Sequence, residues 1–312
     1  MTFSDKTKAE IIENCEVLDQ SAFLWGMIRG NVSLTLDKGR FGCVLSTDMI
    51  EVATYAFSAL SHFGAELVPE QKTGLNKQKI YNVVLHGENA KKVLKDAGIM
   101  RFPGGVSEYD GERVPVELLD TVEKARGYVA GVFLTAGEVF LPKGSEGEGG
   151  GIYQLEFLFT SGGYASSFAK FLAQCGFSVK TTERRDSAVL YIKESDTISD
   201  LLAYMGAVDA VLEMQSVKVY RAVREKANRI SNCEFANTIK SVDTAQRQIQ
   251  AIISLKDSGR YDYLDEKLKV VAEARVAKDT LSLEALAEEL GISKSCLNHR
   301  LRKIESIAKG EE

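Results

Sequence analysis

Apolar and polar positions follow two alternating periods along this chain, and the order in which the periods change occurs twice. Laying residues 21–100 over residues 126–208 gives the same succession: a glycine-bearing apolar helix, paired strands, a helix, paired strands and a short helix. The first copy opens with FLWGMIRGNVSLTL (Phe23 to Leu36) and the second with YVAGVFLTAGEVFL (Tyr128 to Leu141), so Gly26 aligns with Gly131. Further along, Gly64 aligns with Gly176 and Gly98 with Gly206. The alternating or β-rich runs Gly42 to Ser46, Ile80 to Leu85, Tyr153 to Phe159 and Ala188 to Ile192 predict strands. Helices over Met49 to Phe63 and Gly163 to Cys175 separate the hairpins. Each copy therefore reads αββαββα. Antiparallel hairpins bury one face and helices cover it, which makes the fold class α+β. Phe102 to Val116, with two prolines and three glycines, reads as the connector between the copies.

Beyond the second copy the strand period disappears and the helical period continues alone. Tyr220 to Arg229, Asp243 to Ser254 and Tyr261 to Ala277 predict helices. Leu283 to Lys303 then has the spacing of a helix-turn-helix. Leu286, Ala287 and Leu290 form the inner face of its first helix, Gly291 allows the tight turn and Ile292 plugs the angle. Ser293 caps the second helix, whose Leu297, Leu301 and Ile304 recur at i, i+4 and i+7. The expected organisation is a duplicated domain over residues 1–214, with repeats at about 20–100 and 126–208. An all-helical domain follows over 215–312, its helix-turn-helix at about 279–308.

Charge sharpens this division. The chain's net charge of −5 is wrong for a nucleic-acid binder until it is apportioned. Residues 1–214 hold 21 Lys/Arg against 29 Asp/Glu, whereas residues 215–312 hold 18 against 15. Lys218 to Arg260 has nine basic and four acidic residues, and Lys294 to Lys303 has four basic residues and no acid. Local basic patches of this kind are the electrostatic footprint of phosphate binding.

On the second helix of the motif, the face left over by the core pattern bears Ser293, Lys294, Ser295, Asn298, His299, Arg300, Arg302 and Lys303. Recognition helices present their N-terminal residues to base edges, which selects Lys294, Ser295, Asn298 and His299 as base readers. Arg300, Arg302 and Lys303 then hold phosphates. The bland alternative is a solvated basic face. Upstream, Arg229, Asn232, Asn237 and Lys240 either tie helices together through hydrogen bonds or touch the DNA backbone, two readings of equal weight.

Other candidate chemistry thins out. Cys15, Cys43, Cys175, Cys233 and Cys296 are scattered and odd in number, and with three histidines they indicate neither disulfides nor a metal site. The glycine-rich run Lys143 to Gly151 lacks the order of a phosphate loop and contains two glutamates, so it reads as a hairpin tip. No cofactor motif is present. No apolar run approaches the ~20 residues of a membrane span, and the polar N-terminus lacks a signal-peptide core, so a cytoplasmic, nucleoid-associated protein is expected.

The duplicated unit, with the small-residue helix YVAGVFLTAG, resembles the LAGLIDADG homing endonucleases over roughly residues 20–210. In that family each such helix ends in an acid that holds a divalent metal at the scissile phosphate. The aligned positions here are Asn31 and Ala136, with Glu138 two residues beyond the second. The resemblance thus implies a scaffold without its catalytic acids. Asn228 to Ile252 and Gly291 to Ile304 resemble the WhiA family, which joins such a scaffold to a helix-turn-helix. Many members have paired cysteines followed by arginines near the N-terminus, where this chain has Asn14 and Cys15.

This second resemblance implies a non-enzymatic transcriptional regulator of cell division and chromosome segregation and, in some bacteria, sporulation. Its partner is double-stranded DNA, with a transcription or division protein on the N-terminal domain. An architectural nucleoid protein and an active nuclease are the competing readings.

Overall fold

The computed structural model describes residues 1–37, 39–71, 79–101, 108–142, 151–184 and 187–310. Most of the glycine-rich run and the first part of the connector lie outside these residues.

The first repeat comprises α2 (Gln20–Asn31), β1 (Val32–Asp37), β2 (Arg40–Thr47), α3 (Ile50–Leu60), β3 (Glu66–Gln71), β4 (Lys79–His86) and α4 (Gly87–Asp96), preceded by α1 (Phe3–Glu13). After a short β5/β6 pair (Met100–Arg101 and Glu108–Tyr109), the second repeat comprises α5 (Val122–Ala136), β7 (Gly137–Phe140), β8 (Gln154–Phe159), α6 (Gly162–Gln174), β9 (Lys180–Arg184), β10 (Ser187–Ile192) and α7 (Ser195–Tyr204). The two main sheets have the same order, β1-β2-β4-β3 and β7-β8-β10-β9, antiparallel throughout. Cys43, Leu45, Val83 and Leu85 fill the core under the first sheet, and Leu155, Phe157, Phe159, Leu190 and Ile192 fill it under the second. Phe157, Phe159, Tyr164 and Phe168 meet one another mainly edge-on at centroid distances of 5.0–6.3 Å. Such pairs add about 0.5–1.5 kcal/mol each beyond area burial.

The aligned glycines mark the seam between repeats. A Cβ added at Gly26 would strike the Tyr128 carbonyl oxygen, and one at Gly131 would strike that of Phe23. The backbones of α2 and α5 therefore touch through reciprocal positions. Thr135 Oγ1 donates to the Met27 carbonyl at 3.0 Å across the same seam.

Helix α1, which the periodicity did not single out, clasps this unit. Its Thr2–Asp5 capping box starts it. Ser4 Oγ accepts from Val139 N at 3.2 Å. The Glu10 carboxylate accepts from Asp209 N and Ala210 N at 2.6 and 2.9 Å, satisfying two open donors at the start of α8 (Val208–Asp257).

Helix α8 corrects the sequence reading. One helix of 50 residues stands where two shorter ones were expected, because no glycine or proline interrupts it. The chain divides into compact units Met1–Val219 and Tyr220–Glu312. In the first, Ala210 and Met214 of α8 are buried; in the second, its Ala245, Ile252 and Leu255 are buried. The second unit continues with α9 (Glu266–Ala277), α10 (Leu283–Glu289) and α11 (Lys294–Lys309).

Candidate nucleic-acid interface

Within the first unit, α2 and α5 stop where Val32 and Gly137 turn extended and lead directly into β1 and β7. Their last residues, Asn31 and Ala136, line a cleft of about 490 Å³ together with Lys8, Ser46, Asp48, Thr135 and Glu138, among others. Asn31 Nδ2 donates to the Ser46 carbonyl at 2.9 Å, so its amide is engaged in structure. Ala136 contributes only a methyl group. Lys8 of α1, its side chain 7% exposed, places Nζ 2.9 Å from Glu138 Oε1.

This donor set does not fit the paired metals of a phosphodiester nuclease. Hard divalent cations require anionic oxygens, and the two helix ends offer an amide and a methyl. The carboxylate beyond α5 is neutralised by a nearly buried ammonium. Asp48 is a second carboxylate in the cleft. Among the described residues, no three His, Cys, Asp or Glu side chains group as a metal site. Lys8 and Asp48 went unnoticed in the sequence; a lysine in a capped N-terminal helix carries no signal of a partner 130 residues away.

The sheet faces turned from the core offer no uniform charge either. By strand alternation, Glu66, Glu70 and Glu156 share those faces with Lys180 and Arg184. Arg184 lies 3.9 Å from Glu156, and Glu70 accepts from Asn82 at 2.9 Å.

In the second unit the helix-turn-helix forms at its expected place. Leu286, Ala287, Leu297, Leu301 and Ile304 are buried with Ile252, Leu255, Leu264, Leu268 and Val271 in one core, and Leu290 and Ile292 pack against it. Gly291 turns the chain at φ 63°, where a side chain would be strained. Ser293 Oγ accepts from Cys296 N at 3.2 Å and starts α11. Arg260 donates to the Ile307 and Ala308 carbonyls at 3.1 Å, placing a cation at the helix's C-terminal end. Arg247 Nε meets Glu305 at 3.0 Å. The helix is thus held at both ends and along its buried side.

Its outer side carries Ser295, Asn298, His299 and Arg302 at i, i+3, i+4 and i+7, one stripe of a helix. Lys303 is exposed at its edge, and Arg300, three residues before it on the same flank, is half-buried. Lys294 leans back to Glu284 of α10 at 3.2 Å. Of the upstream candidates, Asn237 and Lys240 line the same cavity as Lys294, whereas Arg229 and Asn232 do not. Arg229 bonds within its own helix, to the Glu225 carbonyl at 3.3 Å, and Asn237 to Cys233 Sγ at 3.7 Å. Among the described residues, no helix is long and apolar enough to cross a membrane.

A duplicated LAGLIDADG-like unit with an all-helical helix-turn-helix unit is the class that this geometry defines. Family comparison agrees along the chain: residues 18–100 match the WhiA N-terminal LAGLIDADG-like domain, 125–224 the WhiA LAGLIDADG-like domain and 227–308 the WhiA C-terminal HTH domain. The chain belongs to the WhiA family. It is 32% identical over 316 residues to the "Probable cell division protein WhiA" of Clostridium perfringens, covering 99% of this chain and 98% of that one. The Clostridium botulinum protein of the same name is 31% identical over the same span. The crystal structure of full-length DUF199/WhiA from Thermatoga maritima shares the fold, with a TM-score of 0.54, 22% identity and coverage of 99% and 98%.

Proposed function

We propose that this chain is a sequence-specific regulator of transcription that binds double-stranded DNA through α11 and acts on genes of cell division. The observation that carries this reading is the stripe of exposed Ser295, His299 and Arg302 with half-buried Asn298 among them, on a helix fixed by its own packed core. A preformed helix of this kind enters the major groove with its N-terminal half against base edges. Asn298 suits an adenine edge, Arg302 and Lys303 suit phosphates, and Arg300 adds positive charge from the flank. The assignment to division follows from the family membership and the names of its relatives. The LAGLIDADG-like unit does not cut DNA: Asn31, Ala136 and the Lys8–Glu138 pair leave phosphodiester hydrolysis without its metal ligands. A transcription or division protein is the partner suited to that unit, and the nucleoid is where the chain works.

Genome-wide occupancy mapping in the source bacterium tests this. Discrete peaks at promoters, lost in Asn298→Ala, are expected. A smooth distribution unchanged by that substitution would replace regulation with an architectural role. Incubation of the full chain with plasmid and magnesium or manganese is expected to leave the DNA intact. Metal-dependent cutting abolished by Glu138→Ala would overturn the non-enzymatic reading.

A further inference from the structure

Beside the recognition helix, the second unit contains a cavity of about 270 Å³ whose chemistry is not that of a packing defect. Its walls come from three places: Asn237, Lys240, Ser241, Thr244 and Gln248 of α8, Arg275 of α9, and Ser282, Glu284 and Lys294 at the starts of α10 and α11. The pocket opens to solvent, since Asn237, Lys240, Ser241, Ser282, Glu284 and Lys294 are exposed, while Gln248 and Arg275 lie buried in its wall.

Two of these side chains are almost completely buried and incompletely bonded. Gln248, 2% exposed, follows Ala245 and precedes Ile252 and Leu255 on the buried side of α8, a position where the helical pattern calls for an apolar residue. Its Oε1 has no hydrogen-bond partner. Arg275, also 2% exposed, donates through Nη1 and Nη2 to the Leu281 and Asp279 carbonyls at 2.9 and 2.7 Å, and its Nε has no partner. Among the described residues no carboxylate forms an ion pair with it. This buried cation is compensated by two carbonyl dipoles and, without direct pairing, by the Asp279 carboxylate, and its remaining desolvation cost favours a further anion next to it. Around that guanidinium the wall adds the ammonium groups of Lys240 and Lys294, against the single carboxylate of Glu284, which Lys294 already engages. Ser241 and Ser282 supply hydroxyls, whereas Thr244 Oγ1 donates to the Lys240 carbonyl at 2.8 Å.

We infer that this cavity seats one phosphate group of the DNA backbone and so fixes the register of α11 on the duplex. The inference rests on the proposed DNA binding. The position supports it, since Lys294 is the first residue of α11, and a phosphate held there lies next to the turn that enters the groove. Lys240 neutralises the phosphate at the mouth, with the Glu284-paired Lys294 beside it, the Ser241 and Ser282 hydroxyls donate to its oxygens, and Arg275 supplies the counter-charge from the wall. Arg275 thus acts as a positioning residue, and Lys240 and Ser241 are contacts; the Gln248 Oε1 acceptor takes no part in holding the phosphate.

The test uses the full chain, a duplex enriched from a random pool by in vitro selection, and a shuffled duplex of equal composition, across a series of salt concentrations. Lys240→Ala, an exposed position, is expected to weaken both duplexes by the same factor. It should also lower the slope of log affinity against log salt by about 0.9, the value for one lost phosphate contact. Ser241→Ala is expected to weaken both equally with the slope unchanged. An unaltered slope and affinity in Lys240→Ala, while Asn298→Ala loses discrimination between the duplexes, would overturn the seat and leave the DNA reading standing. Failure of any duplex to bind would overturn both.

Inorganic phosphate against chloride at matched ionic strength separates the two possible phosphate sources. A rise in Tm that depends on Lys240, without a change in the DNA salt slope, would assign the cavity to a free phosphate compound and overturn the backbone assignment.

Discussion

The cleft below α2 and α5 and the outer side of α11 both present polar side chains on secondary-structure elements held by a packed core, and they dispose of charge in opposite ways. In the cleft, an amide is bonded to a backbone carbonyl and a carboxylate is matched by Lys8. Along α11, Ser295, His299, Arg302 and Lys303 remain exposed. A group already satisfied within the protein gains little from a nucleic acid, whereas an exposed cation gains by displacing counterions from phosphate. Fold ancestry alone would have pointed to the cleft. The disposition of charge points to the helix.

The largest effect should come from the seam that creates the cleft. Gly131→Leu drives a side chain into the Phe23 carbonyl, and loss of about 4 kcal/mol or more is expected. Trp25 is the chain's one tryptophan and packs on the core of the first unit, so its fluorescence during urea unfolding reports that unit. An unchanged midpoint would show that α2 and α5 need not touch.

Next, Leu301→Ala should remove about 2–5 kcal/mol from the small core under α11. Circular dichroism should then show helix lost at lower denaturant while the Trp25 transition stays in place. Coincident shifts would contradict separate cores.

Asn298→Ala addresses reading directly. It should reduce the preference for a selected duplex over a shuffled one by about 1–3 kcal/mol, measured by fluorescence anisotropy, with the shuffled affinity nearly constant. Equal losses on both duplexes would reassign Asn298 to the backbone.

The smallest effect sharpens the cleft's side of the contrast. Glu138→Gln strands the buried Lys8 ammonium and should cost about 1–2 kcal/mol, whereas Lys8→Met leaves a half-exposed carboxylate and should be close to neutral. Identical effects from the two substitutions would mean that Lys8 does not depend on Glu138.

The duplicated fold was legible because its landmarks are local. Gly26 and Gly131 stand out against apolar neighbours, and the sheets repeat the strand order that the aligned runs imply. The helix-turn-helix was legible for the same reason, since Gly291, Ser293 and the Leu297/Leu301/Ile304 spacing all lie within one short segment. What escaped were features that depend on distant partners. Nothing near Lys8 announces Glu138, and nothing near Glu10 announces the start of α8. The continuity of α8 left no helical period to read because its middle is exposed on every side, apolar residues such as Val223, Ile230, Phe235 and Ile239 included, although the absence of breakers signalled it. Gln248 offered a usable clue, a polar residue inside the 245/252/255 apolar spacing, but its significance requires Arg275 and the cavity beside it.

The reciprocal seam has a consequence for how this molecule can vary. An identical pair of subunits meeting at such a seam must change both helix ends whenever one codon changes. Here the two ends are encoded separately, and they differ: Asn31 bonds to a strand carbonyl on one side, while on the other Ala136 offers a methyl group and Glu138 pairs with Lys8 of the N-terminal helix. Two copies joined in one polypeptide are free to differ at their helix ends while the glycines that hold the halves together stay matched, as they do here.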